Sequence, residues 1–152
     1  MTFVRFCLAV LAAAFALSSP LRAEVALDYQ NLKPHQAWSK IKREGTILID
    51  VRTPAEWRAT GVPETARLIT LAAGKAAFVK GVAKAVRGDN RIPVAVICRT
   101  GTRSAQAAEI LVQAGFKTVY NVQEGVVGNG SDTGWAMRGL PMVSCGACTP
   151  QN

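Results

Sequence analysis

Histidine is almost missing from this sequence, since His35 is the only one among 152 residues. A single histidine excludes sites that need two or more, such as His-rich zinc sites. Four cysteines are too few for a small fold held together mainly by disulfides. Charged residues make up 18% and hydrophobic residues 49%, which excludes a disordered tail and a charge-dense nucleic-acid-binding arm. The length allows one ordinary domain with its own core.

An apolar run long enough to span a bilayer is also lacking. The run CLAVLAAAFAL at residues 7–17 has eleven residues, whereas a spanning helix takes about 20. Arg5 and Arg22 flank it without any acidic residue, and the small residue Ala23 suits a cleavage site. This pattern predicts a secretory signal peptide over residues 1–23. We therefore expect a periplasmic or secreted protein with no membrane span after cleavage.

Short apolar, β-branched runs alternate with helical patterns along the rest of the chain. Buried strands are predicted at residues 46–51, 67–71, 93–97 and 117–122, and helices at residues 34–43, 54–60, 75–87 and 102–114. Such alternation predicts an α/β fold with a mostly parallel central sheet flanked by helices. Ligands bind beyond the carboxyl ends of the strands in sheets of this kind. Cys98 directly follows a predicted strand and is therefore expected at that edge.

The segment CRTGTRS at residues 98–104 contains the reactive groups that we expect at this edge of the sheet. Arg99 and Arg103 lie within five residues of Cys98, and the next helix presents free N–H groups that attract an anion. A free thiol has a pKa near ~8.5, and lowering it by about two would make the thiolate the main form at neutral pH. The segment therefore predicts a reactive cysteine.

The backbone of the same segment is suited to form an anion cradle. Gly101, between Thr100 and Thr102, permits a turn in which successive amides point inward. Such a cradle would hold a small oxyanion or a terminal persulfide. From position and composition alone a second interpretation stays open, in which Cys98 is an inert buried cysteine beside solvent-facing arginines.

The CRTGTRS loop resembles the active-site loop of single-domain rhodanese-like sulfurtransferases. ILIDVRTPAEW at residues 47–57 is similar to the family's first strand and following helix, and AGFKTVYNVQEG at residues 114–125 to its last helix-to-strand passage. Trp135 and the Gly-Leu-Pro at residues 139–141 resemble the close of the domain. The resemblance implies a rhodanese-like domain over residues 24–143, followed by a tail over residues 144–152.

By this resemblance, Cys98 takes the outer sulfur of a donor such as thiosulfate and holds it as a persulfide. Cyanide or a thiol, free or on a protein, then accepts the sulfur, which is covalent catalysis in two steps without a cofactor or metal. Arg99 and Arg103 would orient the small anionic donor, and the amides of the loop would stabilise the persulfide. A persulfide carrier without turnover, or a periplasmic thiol-redox partner module, is the alternative function.

Asp50 and Arg52 end a neighbouring strand and are candidates to support the loop, although they also suit a purely structural ion pair. The chain departs from the family where GVPETA at residues 61–66 lacks a histidine. It departs again where Glu124-Gly125 replaces a glycine pair, before a lengthened loop at residues 126–133. These departures bear on substrate preference.

A tyrosine-phosphatase-type loop is a rival interpretation of the same motif. That loop has five residues between its Cys and Arg, whereas four separate Cys98 from Arg103, so the cradle is expected to be tighter. Phosphate hydrolysis also needs an acid to protonate the leaving group, and Asp132 is the only late candidate. We therefore favour sulfur transfer.

Cys145 and Cys148 form a Cys-x-x-Cys pair near the end of the sequence. Thr149 follows where c-type haem attachment needs a histidine, and one such pair cannot complete a four-cysteine zinc site. Two interpretations stay open. The pair is either a local disulfide in an oxidising compartment or a mobile dithiol that accepts sulfur from Cys98.

A basic face is predicted on the helix at residues 75–87 and just beyond it. Lys80, Lys84, Arg87 and Arg91 recur at helical spacing, which is typical of a solvated face. An acidic partner is the alternative, whereas nucleic acid is not expected as the partner of an exported chain.

Overall fold

The computed structural model describes residues 28–152 of the protein. The predicted signal peptide and its cleavage site lie outside the described residues. Between residues 28 and 152, no helix is long and apolar enough to cross a bilayer.

The strands, in chain order, are β1 (Gln30–Leu32), β2 (Ile47–Asp50), β3 (Val62–Pro63), β4 (Arg67–Leu68), β5 (Val94–Ile97), β6 (Val119–Val122) and β7 (Met142–Val143). A five-stranded parallel sheet forms the centre of the fold, with strand order β1-β6-β5-β2-β4. The helices are α1 (Pro34–Glu44), α2 (Pro54–Thr60), α3 (Lys75–Ala85), α4 (Thr102–Gln113) and α5 (Gly134–Met137). Strands β3 and β7 pair separately in an antiparallel ribbon. The predicted α/β fold with a mostly parallel sheet is confirmed.

Strand β5 shows why helices cover both faces of the sheet. Its four residues are all buried, and successive side chains point to opposite faces. Val96 joins the core beneath α3 and α4, with Phe78 and Leu111. Ile97 joins the core beneath α1 and α5, with Trp135. Two apolar layers therefore fix β5, and with it the position of the cysteine that follows.

Helix α2 begins as the sequence predicts. Thr53 precedes Pro54 and accepts a hydrogen bond through its hydroxyl from the Glu56 amide at 3.4 Å. The Glu56 carboxylate in turn accepts the Thr53 amide at 3.0 Å. This reciprocal capping places the Glu56 carboxylate at the start of the helix.

Several short elements differ from the sequence-based expectation. The strand predicted at residues 67–71 is only β4, followed by a 3-10 helix over Leu71–Ala73. The Thr70 hydroxyl accepts the Ala72 amide at 3.2 Å, which turns the chain out of the strand. Strands β1, β3 and β7 and helix α5 were not predicted, because two to four residues are too few to show a hydrophobic period.

The tail over residues 144–152 packs against the fold instead of extending from it. The Gln151 amide donates to the Leu68 carbonyl oxygen at 2.7 Å. The Asn152 side chain donates to the Thr70 carbonyl oxygen at 3.1 Å and accepts the Thr70 amide at 3.2 Å. The tail therefore covers the outer edge of β4, which would otherwise present unpaired backbone groups.

Candidate active site

Cys98 lies immediately after β5, at the carboxyl edge of the sheet. Its Sγ accepts the Gly101 amide at 3.1 Å. The Ser104 hydroxyl lies 3.4 Å from Sγ and 2.9 Å from the Gly101 carbonyl oxygen, so its single proton can be donated to either acceptor. The side chain is 1% exposed, and Cys98 is the free cysteine of the described chain. Both donors favour negative charge on the sulfur.

Two glycines allow the Cys98 loop to sit directly on the segment that follows β6. Gly101 has φ 100°, and a Cβ there would overlap the Gln123 carbonyl oxygen. Gly125 has φ 65°, and a Cβ there would overlap the backbone of Arg99 and Thr100. Backbone passes backbone at van der Waals distance in both places, so only glycine fits.

Backbone hydrogen bonds fix the same contact. The Val126 amide donates to the Cys98 carbonyl oxygen at 2.9 Å, and the Val127 amide donates to the Arg99 carbonyl oxygen at 3.0 Å. Thr102 then begins α4, whose first amides have no acceptor within the helix. The loop is therefore held rigidly with a helix N-terminus beside it, an arrangement that stabilises an anion such as a thiolate or persulfide.

Arg103 is bound to Glu56 in the structure. Its Nη1 donates to Glu56 Oε2 at 2.8 Å, and its Nη2 donates to Oε1, so the pair is bidentate. The hydrogen bond from Arg103 lowers the pKa of Glu56 to about 2. Glu56 raises the pKa of Arg103 above its ordinary value, and negative charge at Cys98 acts in the same direction. Arg103 therefore lies within electrostatic reach of the sulfur, although its fork is occupied by a carboxylate.

Arg99 is exposed and forms no ion pair within residues 28–152. It lines a cavity of about 210 Å³ between the Cys98 loop and α2, together with Val127. Arg99 is thus the cation of the predicted site that remains available to an incoming anion.

Asp50 and Arg52 form a fully buried pair, with three hydrogen bonds from the guanidinium to the carboxylate. Arg52 also donates to the Thr60 hydroxyl at 2.6 Å and to the Gly61 carbonyl oxygen at 2.8 Å. The pair ties the end of β2 to the end of α2. No hydrogen bond joins Asp50 or Arg52 to residues 98–104 in the described chain, which fits the structural ion pair.

Glu124, at the departure from the family's glycine pair, is fully buried. It accepts the Gly134 amide at 3.2 Å and two hydrogen bonds from Arg138, at 2.7 and 2.8 Å. Burial raises the pKa of Glu124, but the hydrogen bonds from Arg138 and Gly134 outweigh it and leave the pKa below its ordinary value. Glu124 therefore anchors the segment around residues 126–134, whose first two amides hold the Cys98 loop.

Cys145 and Cys148 form a disulfide with a Cα–Cα distance of 5.4 Å. Cys145 is buried against Trp57, Val62 and Leu68, and Cys148 packs at the margin of this cluster. The structure thus contains the local disulfide that was one of the two interpretations. The buried contacts of Cys145 hold this part of the tail against the fold.

The other sequence candidates lie apart from this site. Asp132 belongs to a local turn in which the Asn129 side-chain oxygen accepts its amide at 2.9 Å. His35 is exposed on α1.

The predicted basic face is exposed at all four of its positions, Lys80, Lys84, Arg87 and Arg91. Within this face, Arg91 forms an ion pair with Asp89. Between residues 28 and 152 no cluster of three or more potential metal ligands occurs.

The fold and the site together define an α/β protein with one cradled cysteine at the carboxyl edge of a parallel sheet. Comparison with known proteins specifies the class further, since the model of the rhodanese-like domain matches residues 33–129. The chain belongs to the rhodanese-like domain family, and membership supports sulfurtransferase activity in general.

Named relatives and solved structures agree with this assignment. The thiosulfate sulfurtransferase GlpE of Actinobacillus pleuropneumoniae serotype 3 is 32% identical over 114 residues, covering 75% of this chain and 93% of its own. The polysulfide-sulfur transferase homodimer of Wolinella succinogenes is 28% identical, with a TM-score of 0.57, covering 76% of this chain and 78% of its own. Rv0390 from M. tuberculosis is 30% identical, with a TM-score of 0.56, and the match covers 77% of this chain and 99% of its own.

Three residues of the site were not identified from the sequence. Ser104 stands at the end of the CRTGTRS motif, and its position in the first turn of α4 is the signal that could have placed it near Cys98. Glu56 lies within the helix predicted at residues 54–60, and the sequence shows no sign of its contact with Arg103. Glu124 was noted as a departure, with no signal that it would be buried.

Proposed function

We propose that the protein is a thiosulfate sulfurtransferase that works through a Cys98 persulfide. The observation that carries this proposal is the hydrogen bond from the Gly101 amide to the Cys98 sulfur, beside the N-terminus of α4. A donor that favours negative charge on the sulfur supports both the attacking thiolate and the persulfide that follows.

In the first step, the Cys98 thiolate attacks the outer sulfur of thiosulfate. The bond between the two thiosulfate sulfurs breaks, its electron pair leaves with sulfite, and the outer sulfur stays on Cys98 as a persulfide anion. Arg99, exposed within the loop, would attract the dianionic donor, and Arg103 would contribute its positive charge from the pair with Glu56.

In the second step, a nucleophilic acceptor attacks the outer sulfur of the persulfide. Cyanide would leave as thiocyanate and a thiol would leave as a persulfide, and either returns Cys98 to its thiolate. The same Gly101 N–H serves the sulfur in both steps, because the loop backbone is fixed to residues 123–127.

Turnover with thiosulfate and cyanide tests this function against the carrier alternative. Thiocyanate should form with wild-type protein and not with Cys98→Ser. If wild-type protein gains about 32 Da on Cys98 but forms no thiocyanate, it is a persulfide carrier without turnover instead. No adduct from thiosulfate or polysulfide would contradict both functions.

We also propose that the protein works in the periplasm or outside the cell. The signal-peptide pattern of residues 1–23 and the Cys145–Cys148 disulfide both suit an oxidising compartment. N-terminal sequencing of the protein from fractionated cells should find a chain that begins at Glu24. An intact N-terminus on cytoplasmic protein would contradict export.

A further inference from the structure

Three cations from separate parts of the chain line one cavity of about 330 Å³, to which residues 98–104 contribute nothing. Arg67 belongs to β4, Lys84 to the last turn of α3, and Arg87 to the turn that follows this helix. None of the three forms an ion pair within residues 28–152. Positive charges that share one cavity repel each other, and an anion placed between them would relieve this repulsion.

The lining of the cavity contains no acidic side chain that could take the place of such an anion. The sequence has neither Asp nor Glu between Glu64 and Asp89, and Asp89 is itself occupied by two hydrogen bonds from the Arg91 guanidinium. The tail adds Gln151, whose side-chain oxygen accepts the Leu68 amide at 3.3 Å. The other end of that amide group is a hydrogen-bond donor, so the cavity combines positive charge with a neutral donor.

Arg87 stands at a backbone position that usually belongs to glycine. Helix α3 ends in a Schellman motif, in which the Gly88 amide donates to the Ala83 carbonyl oxygen at 2.8 Å and the Arg87 amide to the Lys84 carbonyl oxygen at 3.0 Å. Arg87 is the left-handed residue of this motif, and with φ 55° it is the only non-glycine residue of positive φ within residues 28–152. A side chain strains the backbone there, so a function of the guanidinium in the cavity gives a reason for the absence of glycine.

An ordinary stabilising role accounts for part of this cluster but not for all of it. The carboxyl end of a helix attracts cations, which would suffice for Lys84 and Arg87. Arg67 lies on a separate strand and gains nothing from the end of α3 that would require it to line the same cavity. The convergence of the three charges therefore indicates a ligand.

We propose that this cavity binds a compact, multiply charged oxyanion of the diphosphate class, either free or as part of a nucleoside diphosphate. Its terminal oxygens point in several directions, so the guanidinium forks of Arg67 and Arg87 and the ammonium of Lys84 can bind it together. The cavity holds about eleven water-sized groups of ~30 Å³ each, which suits diphosphate with its roughly nine non-hydrogen atoms better than orthophosphate with about five. This site is independent of the proposed sulfur transfer.

Titration calorimetry with sodium diphosphate, at low salt and without divalent metal ions, tests the proposal. Wild-type protein should bind one diphosphate per chain, and Arg67→Gln and Lys84→Gln should each weaken the affinity about tenfold. Lys80→Gln is the matched control, because it removes the same charge from the exposed surface of α3 without lining the cavity, and its affinity should stay within about twofold. Arg99→Gln should also stay within about twofold, since the anion does not bind at the Cys98 loop.

Arg87→Gly separates binding from stability. It should weaken diphosphate binding about tenfold while the melting temperature stays the same or rises, because glycine relieves the strain of the positive φ. ADP in place of diphosphate distinguishes the two sources of the ligand: ADP binding with the same dependence on Lys84 supports a nucleoside diphosphate, and its failure beside diphosphate binding supports the free anion.

Four results would overturn the proposal. The first is that wild-type protein shows no saturable binding of diphosphate, and the second is that Lys80→Gln loses as much affinity as Lys84→Gln. The third is that Arg99→Gln abolishes binding while Lys84→Gln keeps it, which would place the anion at the Cys98 loop. The fourth is that a glutamate-rich peptide binds through Lys84 while diphosphate does not, which would make this surface a docking site for an acidic protein.

Discussion

Glu56 on α2 and Arg103 on α4 join two helices through a bidentate ion pair beside the Cys98 loop. The residues are 47 positions apart in the sequence, and no local sequence pattern around either one predicts the contact. The pair holds the guanidinium near the sulfur without leaving its fork open. Arg103 therefore supplies positive charge from a fixed position and does not hydrogen-bond a substrate directly through the two Nη atoms that Glu56 occupies.

The geometry of the Glu56–Arg103 pair predicts that a positive charge at position 103 is not by itself sufficient for full sulfurtransferase activity. Arg103→Lys keeps the positive charge but loses the planar fork, so the lysine cannot make both hydrogen bonds to Glu56. We expect kcat/KM for thiosulfate to fall about tenfold, measured by sulfite release. Arg91→Lys is the matched control, since Arg91 makes the same two-point contact with Asp89 on the exposed surface. Equal activity in both variants would contradict the positioning role.

The lowered pKa of Glu56 predicts how stability depends on pH. A carboxylate whose pKa falls from 4.5 to about 2 on folding stabilises the native state above its unfolded pKa, and this contribution is lost as the pH falls toward 2. We expect the difference in unfolding free energy between wild type and Glu56→Gln to shrink by about half between pH 6 and pH 3. Urea denaturation at both pH values measures it. A difference that stays constant would mean that the Glu56 charge does not contribute.

Gly101 predicts a severe effect from a single added methyl group. Gly101→Ala places a Cβ on the Gln123 carbonyl oxygen in addition to the strain of positive φ, so we expect a loss of more than ~3 kcal/mol in unfolding free energy and loss of sulfur transfer. Gly45 also has positive φ, but a Cβ there meets nothing within 4 Å. Gly45→Ala should therefore cost only about 1 kcal/mol, with transfer unchanged. Similar losses in the two variants would contradict the close packing of the loop.

The Cys145–Cys148 disulfide is expected to stabilise the tail without relaying sulfur. It closes a loop of only a few residues, so its loss in Cys145→Ala/Cys148→Ala should cost about 2 kcal/mol at most. The rate of transfer from the Cys98 persulfide to a thiol should stay within about twofold of wild type. Stopped-flow transfer from preloaded protein measures this rate. A marked slowing in the double variant, with Cys98 still loaded, would restore the relay interpretation.

The sequence predicted those parts of the site that are continuous in the chain. The run PVAVI, Cys98 and the helix that follows show a buried strand, a turn and a helix start within about 20 residues, so β5, the loop and α4 were predicted within one or two residues. The start of α2 at Pro54 was predicted for the same reason, since Thr53 followed by Pro54 is a local helix-start pattern.

The contacts that depend on tertiary structure could not be predicted. Glu56 shows a complete local role as a capping residue, which hides its second role with Arg103. Strand β7 pairs with β3 across about 80 residues, and each has only two residues, too short for a pattern. The burial of Cys145 against Trp57 could not be predicted either, because it depends on the folded surface that the tail covers.

The most direct test of sulfur chemistry at Cys98 is the intact mass of the protein after treatment with thiosulfate and removal of excess donor. Wild-type protein should gain about 32 Da, one sulfur atom per chain, located by peptide mapping on Cys98 and removed by cyanide or dithiothreitol. Cys98→Ser should gain nothing, while Cys145→Ala/Cys148→Ala should gain the same single sulfur. An unmodified Cys98, or sulfur found on another residue, would contradict the persulfide mechanism.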